Sequence, residues 1–115
     1  MAHFVCLVTY TQQGLQQLGA TTTRAEAFGK MAEKMGAKVN QTLWTLGIYD
    51  LVMILEAPDE KTVAKVAFSL NSLGNVRTHT LAAFTRDEMN DEVLDGVQTA
   101  YDLLRVEQKE LGAHP

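Results

Sequence analysis

The chain has 115 residues, of which 46% are hydrophobic and 21% charged, and it carries a net charge of −4. That length makes one domain, large enough to build a core without disulfides or a structural metal, and the single cysteine has no internal partner. The negative charge disfavours a nucleic-acid partner, whose phosphates need clustered Lys and Arg, and no apolar run reaches the ~20 residues of a membrane helix.

The first element is a short strand, His3 to Thr9, apolar on both alternating faces. Tyr10 to Thr22, rich in Gln, Gly and Thr, reads as a loop with one helical turn near Leu15 to Leu18. Thr23-Arg24-Ala25-Glu26 has the spacing of a capping box. Phe28, Met31, Ala32 and Met35 then recur on one helical face, and Gly36 stops the helix. Lys38 to Leu46 has the loose polarity of an edge strand. Gly47 to Asp50 turns the chain into Leu51 to Glu56, a third strand that is apolar on both faces. Pro58 and Asp59 open a helix whose stripe is Val63, Val66, Ala67, Leu70 and Leu73, and Gly74 ends it. Val76 to Phe84 is a fourth strand. Thr85-Arg86-Asp87-Glu88 is a second capping box, opening a long helix toward Leu111. Its early acids and its late Arg105 and Lys109 suit the helix dipole.

This order predicts an α+β fold: a ferredoxin-like βαββαβ antiparallel sheet with an added long C-terminal helix. The first and third strands are central in that topology, and both helices lie on one side. The apolar side chains on the other side then need cover, because monomers rarely expose several hundred Å² of contiguous apolar surface. A homo-oligomer, or the terminal helix, is the expected cover. The N-terminus lacks the cationic start and cleavage site of a signal peptide, and a cytoplasmic location is expected.

Several motifs fall together in order: Thr11-Gln12-Gln13-Gly14, Arg24 with Glu26-Ala27-Phe28, and Trp44-Thr45-Leu46-Gly47-Ile48-Tyr49-Asp50. Glu56-Ala57-Pro58-Asp59, Gly74-Asn75-Val76-Arg77-Thr78 and Ala83-Phe84 follow. In these the chain resembles the GYD-domain family over residues 4 to 89. The resemblance implies a fold of the dimeric α+β barrel type, in which two sheets face each other, and it implies no particular activity. Residues 1–89 are therefore expected to form a GYD-like domain, with 90–115 as its helical extension.

The candidate ligand-binding residues are Trp44, Tyr49, Asp50, Glu56, Arg77 and His79. Tyr49 and Asp50 either point a phenol and a carboxylate into a pocket or serve the turn, where Asp commonly bonds backbone amides. Arg77 and His79 share one face of their strand. Between subunits they would suit an anionic or carbonyl ligand; at a solvated edge Arg77 would simply pair with an acid. Glu56 is placed to meet Arg77, as an ion pair or as a base. Trp44 is a candidate pocket wall. Cys6, in mid-strand, reads as a buried thiol. His3, Cys6, His79 and His114 are too scattered for a zinc spacing, and no motif calls for a cofactor. Three functions fit. The first is a small-molecule binding or regulatory module using an intersubunit cavity. The second is a cofactor-free enzyme of isomerase or monooxygenase type, with His79 or Asp50 as base, by analogy of fold alone. The third is a structural or interaction protein.

Overall fold

The computed structural model describes residues 1–97 and 102–105 and divides after Ala83 into two units. In the first unit, β1 (Ala2–Tyr10) turns Phe4, Cys6 and Val8 to one side, where all three are buried, and His3, Val5, Leu7 and Thr9 to the other. β3 (Leu51–Ala57) does the same with Leu51, Met53, Leu55 and Ala57. These two strands pair antiparallel at the centre of the sheet. β2 (Lys38–Trp44) lies outside β3 and β4 (Val76–Ala83) outside β1, giving the order β2-β3-β1-β4. This is the split-βαβ arrangement expected from the sequence.

Both long helices lie on the Phe4–Leu51 side. Phe28 and Ala32 from α2 (Thr21–Lys34), and Val63 and Val66 from α3 (Glu60–Ser72), close the core against the sheet. Burial of the inner sheet face against these two amphipathic stripes is the main favourable term of the fold, at about 25 cal/mol per Å² of apolar surface removed from water.

Local signals place most boundaries. Asp59 caps α3: its Oδ1 accepts from the Thr62 backbone N–H and from the Thr62 hydroxyl, each at 2.8 Å. The Thr62 backbone bond, then the Thr62 hydroxyl, hold the Asp59 carboxyl below the usual carboxylate range; slight burial opposes them, and Lys65 and Lys61 assist. Because that pKa is lowered on folding, the cap contributes fully above the ordinary carboxylate pKa. Its contribution is lost as pH falls through the lower folded value.

Two expectations are corrected. α2 begins at Thr21 rather than after a cap at Thr23, because a short α1 (Gln12–Gln16) and a 3₁₀ turn (Leu18–Ala20) lead straight into it without a side-chain cap. Leu73 is not part of the buried stripe of α3; it follows the last helical residue and is 60% exposed.

Gly74 ends α3 with φ +81°. We expect Gly74→Val to cost ~1–2 kcal/mol, because a β-branched residue is strained in the left-handed region. A thermal melt checks this, and an unchanged melting temperature would show that the position tolerates a side chain.

In the second unit, Thr85 and Glu88 form the expected reciprocal cap. Thr85 Oγ1 accepts from Glu88 N at 3.1 Å, and Glu88 Oε1 accepts from Thr85 N at 2.9 Å. They open α4 (Arg86–Glu88), which passes into a π-helical stretch, Met89–Val93. Residues 102–105 are helical. The expected continuation to Leu111, with Lys109, lies outside the described residues, as does His114.

Candidate functional site

The connection between β2 and β3 is a heavily bonded turn. Thr45 Oγ1 donates to the Tyr49 carbonyl at 2.5 Å, and Thr45 N donates to the Asp50 carbonyl at 2.9 Å. Asp50 N donates to the Val8 carbonyl at 2.8 Å, and Asp50 Oδ2 accepts from Tyr10 N at 2.8 Å. Asp50 therefore carries the pairing of β1 and β3 one step beyond the end of the strand. Its carboxylate serves the backbone at the end of β1 rather than the turn's own amides.

Tyr49, by contrast, reaches the sheet face opposite the helices. Its ring meets that of His79 edge-on, with centroids 6.0 Å apart and planes at 81°, a favoured geometry for aromatic pairs. Strand register explains the meeting. Leu7 stands opposite both Val52 and His79, and Thr9 stands opposite Arg77. Side chains directly opposite one another share a face. The open face thus carries an apolar strip, Leu43 and Val52 with Ile54, Val5, Leu7 and Leu81, and a polar corner of Tyr49, His79 and Arg77. Leu81 is 52% exposed and Leu43 48%. Arg77 makes no ion pair among the described residues.

Two of the expected site residues lie elsewhere. Glu56 does not meet Arg77. It pairs with His3, Oε1 to Nε2 at 3.1 Å, because β1 separates β3 from β4 and the two residues sit at opposite ends of the sheet. Their partners on β1, His3 and Thr9, are six residues apart, about 20 Å along a strand. Trp44 is on the helix side. It stands opposite Leu51, and its indole Nε1 donates to Thr21 Oγ1 at 3.0 Å. Of the six candidates, Tyr49, Arg77 and His79 gather at one corner, Asp50 adjoins them as a strut, and Glu56 and Trp44 do not join them. Among the described residues, no three His, Cys, Asp or Glu side chains converge to hold a metal ion.

Cys6 lies in the core. Burial pushes its thiol up, opposed by a hydrogen bond from the Thr80 hydroxyl at 3.7 Å. A buried, protonated thiol is a poor nucleophile. We expect no reaction of Cys6 with a thiol reagent in the native protein and stoichiometric reaction after unfolding; rapid labelling of the folded protein would contradict the burial.

The helix side holds a feature that the sequence reading missed, a cavity of about 270 Å³ between α2 and the sheet. Phe28 and Met31 form its wall, Leu51 and Met53 its floor, and Arg24 and Thr21 lie on the same helical stripe. The available signal was Arg24, which sits four residues before Phe28 and so places a cation where the apolar stripe should continue.

An antiparallel split-βαβ sheet with its long helices on one side places the chain among ferredoxin-like α+β domains. Residues 4–93 match the GYD domain family, and the chain belongs to it. It is 36% identical over 84 residues to the "Glutamine synthetase and cystathionine beta-lyase binding protein" of Thermus thermophilus, covering 72% of this chain and 88% of that one. It is also similar to the crystal structure of TTHA0845, likewise from Thermus thermophilus, with TM-score 0.50 and 25% identity over 74% of this chain and 95% of that one. No helix among the described residues is long and apolar enough to cross a membrane.

Proposed function

We propose that this protein is a regulatory binding module that pairs with a second copy through its open sheet faces and, as the pair, attaches to a partner enzyme. The observation that carries this reading is the apolar strip of Val5, Leu7, Val52, Ile54 and Leu81, on the side of the sheet away from α2 and α3. Apolar side chains on both faces of the central strands are costly to leave in water. A second copy offers the same strip in return, as a two-fold interface requires. Pairing of this kind also encloses the corner of Tyr49, His79 and Arg77, where a cation and two hydrogen-bonding rings favour an anionic group. The outside partner is suggested by the Thermus relative, whose name describes binding to glutamine synthetase and cystathionine beta-lyase.

Two measurements test the two halves separately. Light scattering should give twice the 12.7 kDa chain mass, and Leu7→Glu with Leu81→Glu should return it to one chain without loss of secondary structure. A wild-type monomer at micromolar concentration removes the pairing. Binding of the wild-type protein to glutamine synthetase and cystathionine beta-lyase from the same source tests the attachment. Absence of binding to both enzymes at tens of micromolar would end that half of the reading.

A further inference from the structure

We propose that the cavity between α2 and the sheet is a binding site for a small amphipathic carboxylate, such as a medium-chain alkanoate or an arylalkanoate. Its walls come from residues 8 to 76, so the site is complete in one chain and independent of the open sheet face. Its body is apolar: Phe28 and Met31 from α2, Met53 from the sheet, and Leu70 from α3. An apolar cavity of about 150 Å³ stays dry and binds benzene, so one of about 270 Å³ admits roughly ten non-hydrogen atoms.

Polar groups are confined to few positions. Gln17 and Thr21 lie along the lining near Arg24. Thr21 Oγ1 is already engaged by the Tyr10 hydroxyl and the Trp44 indole, which leaves Arg24 as the charged group to receive a ligand. Arg24 is half-buried and makes no ion pair among the described residues. The nearest acid in sequence, Glu26, pairs outward with Lys30 at 3.7 Å, and among the described residues no carboxylate lines the cavity. An arginine in the lining of an apolar pocket, with no acid beside it in that lining, selects a ligand with an apolar body and one anionic end. A carboxylate matches the guanidinium fork in two parallel hydrogen bonds.

The test titrates octanoate, and octanol as its uncharged analogue, into the full-length protein. Binding is read from the labelled methyl groups of Met31 and Met53 and from the emission of Trp44, the chain's one tryptophan. Octanoate should saturate at one per chain and shift both methyl signals. Arg24→Gln should weaken octanoate at least tenfold while leaving octanol within about twofold. Ala25→Leu, which fills the lining from a helical position that accepts leucine, should weaken both. The proposal is overturned if octanoate shows no saturable binding, or if its shifts appear at His79 and Leu81 instead of the two methionines. Equal weakening of both ligands by Arg24→Gln overturns it too, because the arginine would then only shape the pocket.

Discussion

Gly14→Ala is expected to cost about 3 kcal/mol, at the upper end for overpacking a filled site, and Gly14→Val to leave little folded protein. A Cβ at Gly14 would stand 2.0 Å from the Asn75 carbonyl oxygen and 3.0 Å from its carbon. The Cβ position does not depend on rotamer, and its neighbour is backbone, so relief requires moving the 74–75 loop. That loop is tied to the segment carrying Gly14. Thr11 N donates to the Asn75 carbonyl at 3.0 Å, Thr11 Oγ1 to the Gly74 carbonyl at 2.6 Å, and Gln13 Nε2 to Asn75 Oδ1 at 3.0 Å. Relieving the clash therefore breaks the bonds that join the two segments. Gly19 is the internal control, because a Cβ there meets nothing within 4 Å, and Gly19→Ala should be neutral or slightly stabilising. Urea denaturation of the three proteins reads the result. An unchanged midpoint for Gly14→Ala would mean that the two segments do not approach this closely.

That contact also explains what two of the shared motifs do in this chain. Thr11-Gln12-Gln13-Gly14 and Gly74-Asn75 are one staple, made of hydrogen bonds and a glycine that lets two backbones touch.

Features decided by a few neighbouring residues were legible. The Asp59 cap, the Thr85–Glu88 box and the helix-ending glycines at 36 and 74 each depend on local geometry. The central places of β1 and β3 followed from the order of the elements, and their doubly apolar pattern agrees with them. Four things were not legible, each for a physical reason. The start of α2 carries no side-chain cap, since the turn before it delivers the chain in helical register. The face of Trp44 was hidden by a bulge between Val39 and Gln41. In a regular strand Lys38 and Trp44, six residues apart, would share a face; the bulge puts them on opposite ones. Glu56 looked ready to meet Arg77 only while position along the strands was ignored. The cavity was missed because a pocket is defined by missing atoms, and its one sequence trace is a cation on an apolar stripe.

The last expected result separates the two polar residues of the Gly47-Ile48-Tyr49-Asp50 turn. Asp50→Ala should destabilise the domain by about 2 kcal/mol, since a partly buried Tyr10 N–H loses a charged acceptor and such bonds contribute about 1.5–3 kcal/mol. Asp50→Asn keeps an oxygen in place and should recover part of the loss. Tyr49→Ala should cost less than about 1 kcal/mol, the scale of one aromatic pair, because its ring touches His79 on the open face rather than in the core. Its effect should appear instead in association: weaker pairing of the chains, or weaker attachment to a partner, by tenfold or more. Thermal melts and light scattering on the same three variants give both readings. If Asp50→Asn abolishes association while the melting temperature holds, the carboxylate faces a partner after all. If Tyr49→Ala lowers stability as much as Asp50→Ala, the ring is a structural prop and the open face loses its recognition corner. The distances favour a division of labour, with the aspartate tying β1 to β3 and the tyrosine presented on the surface they form together.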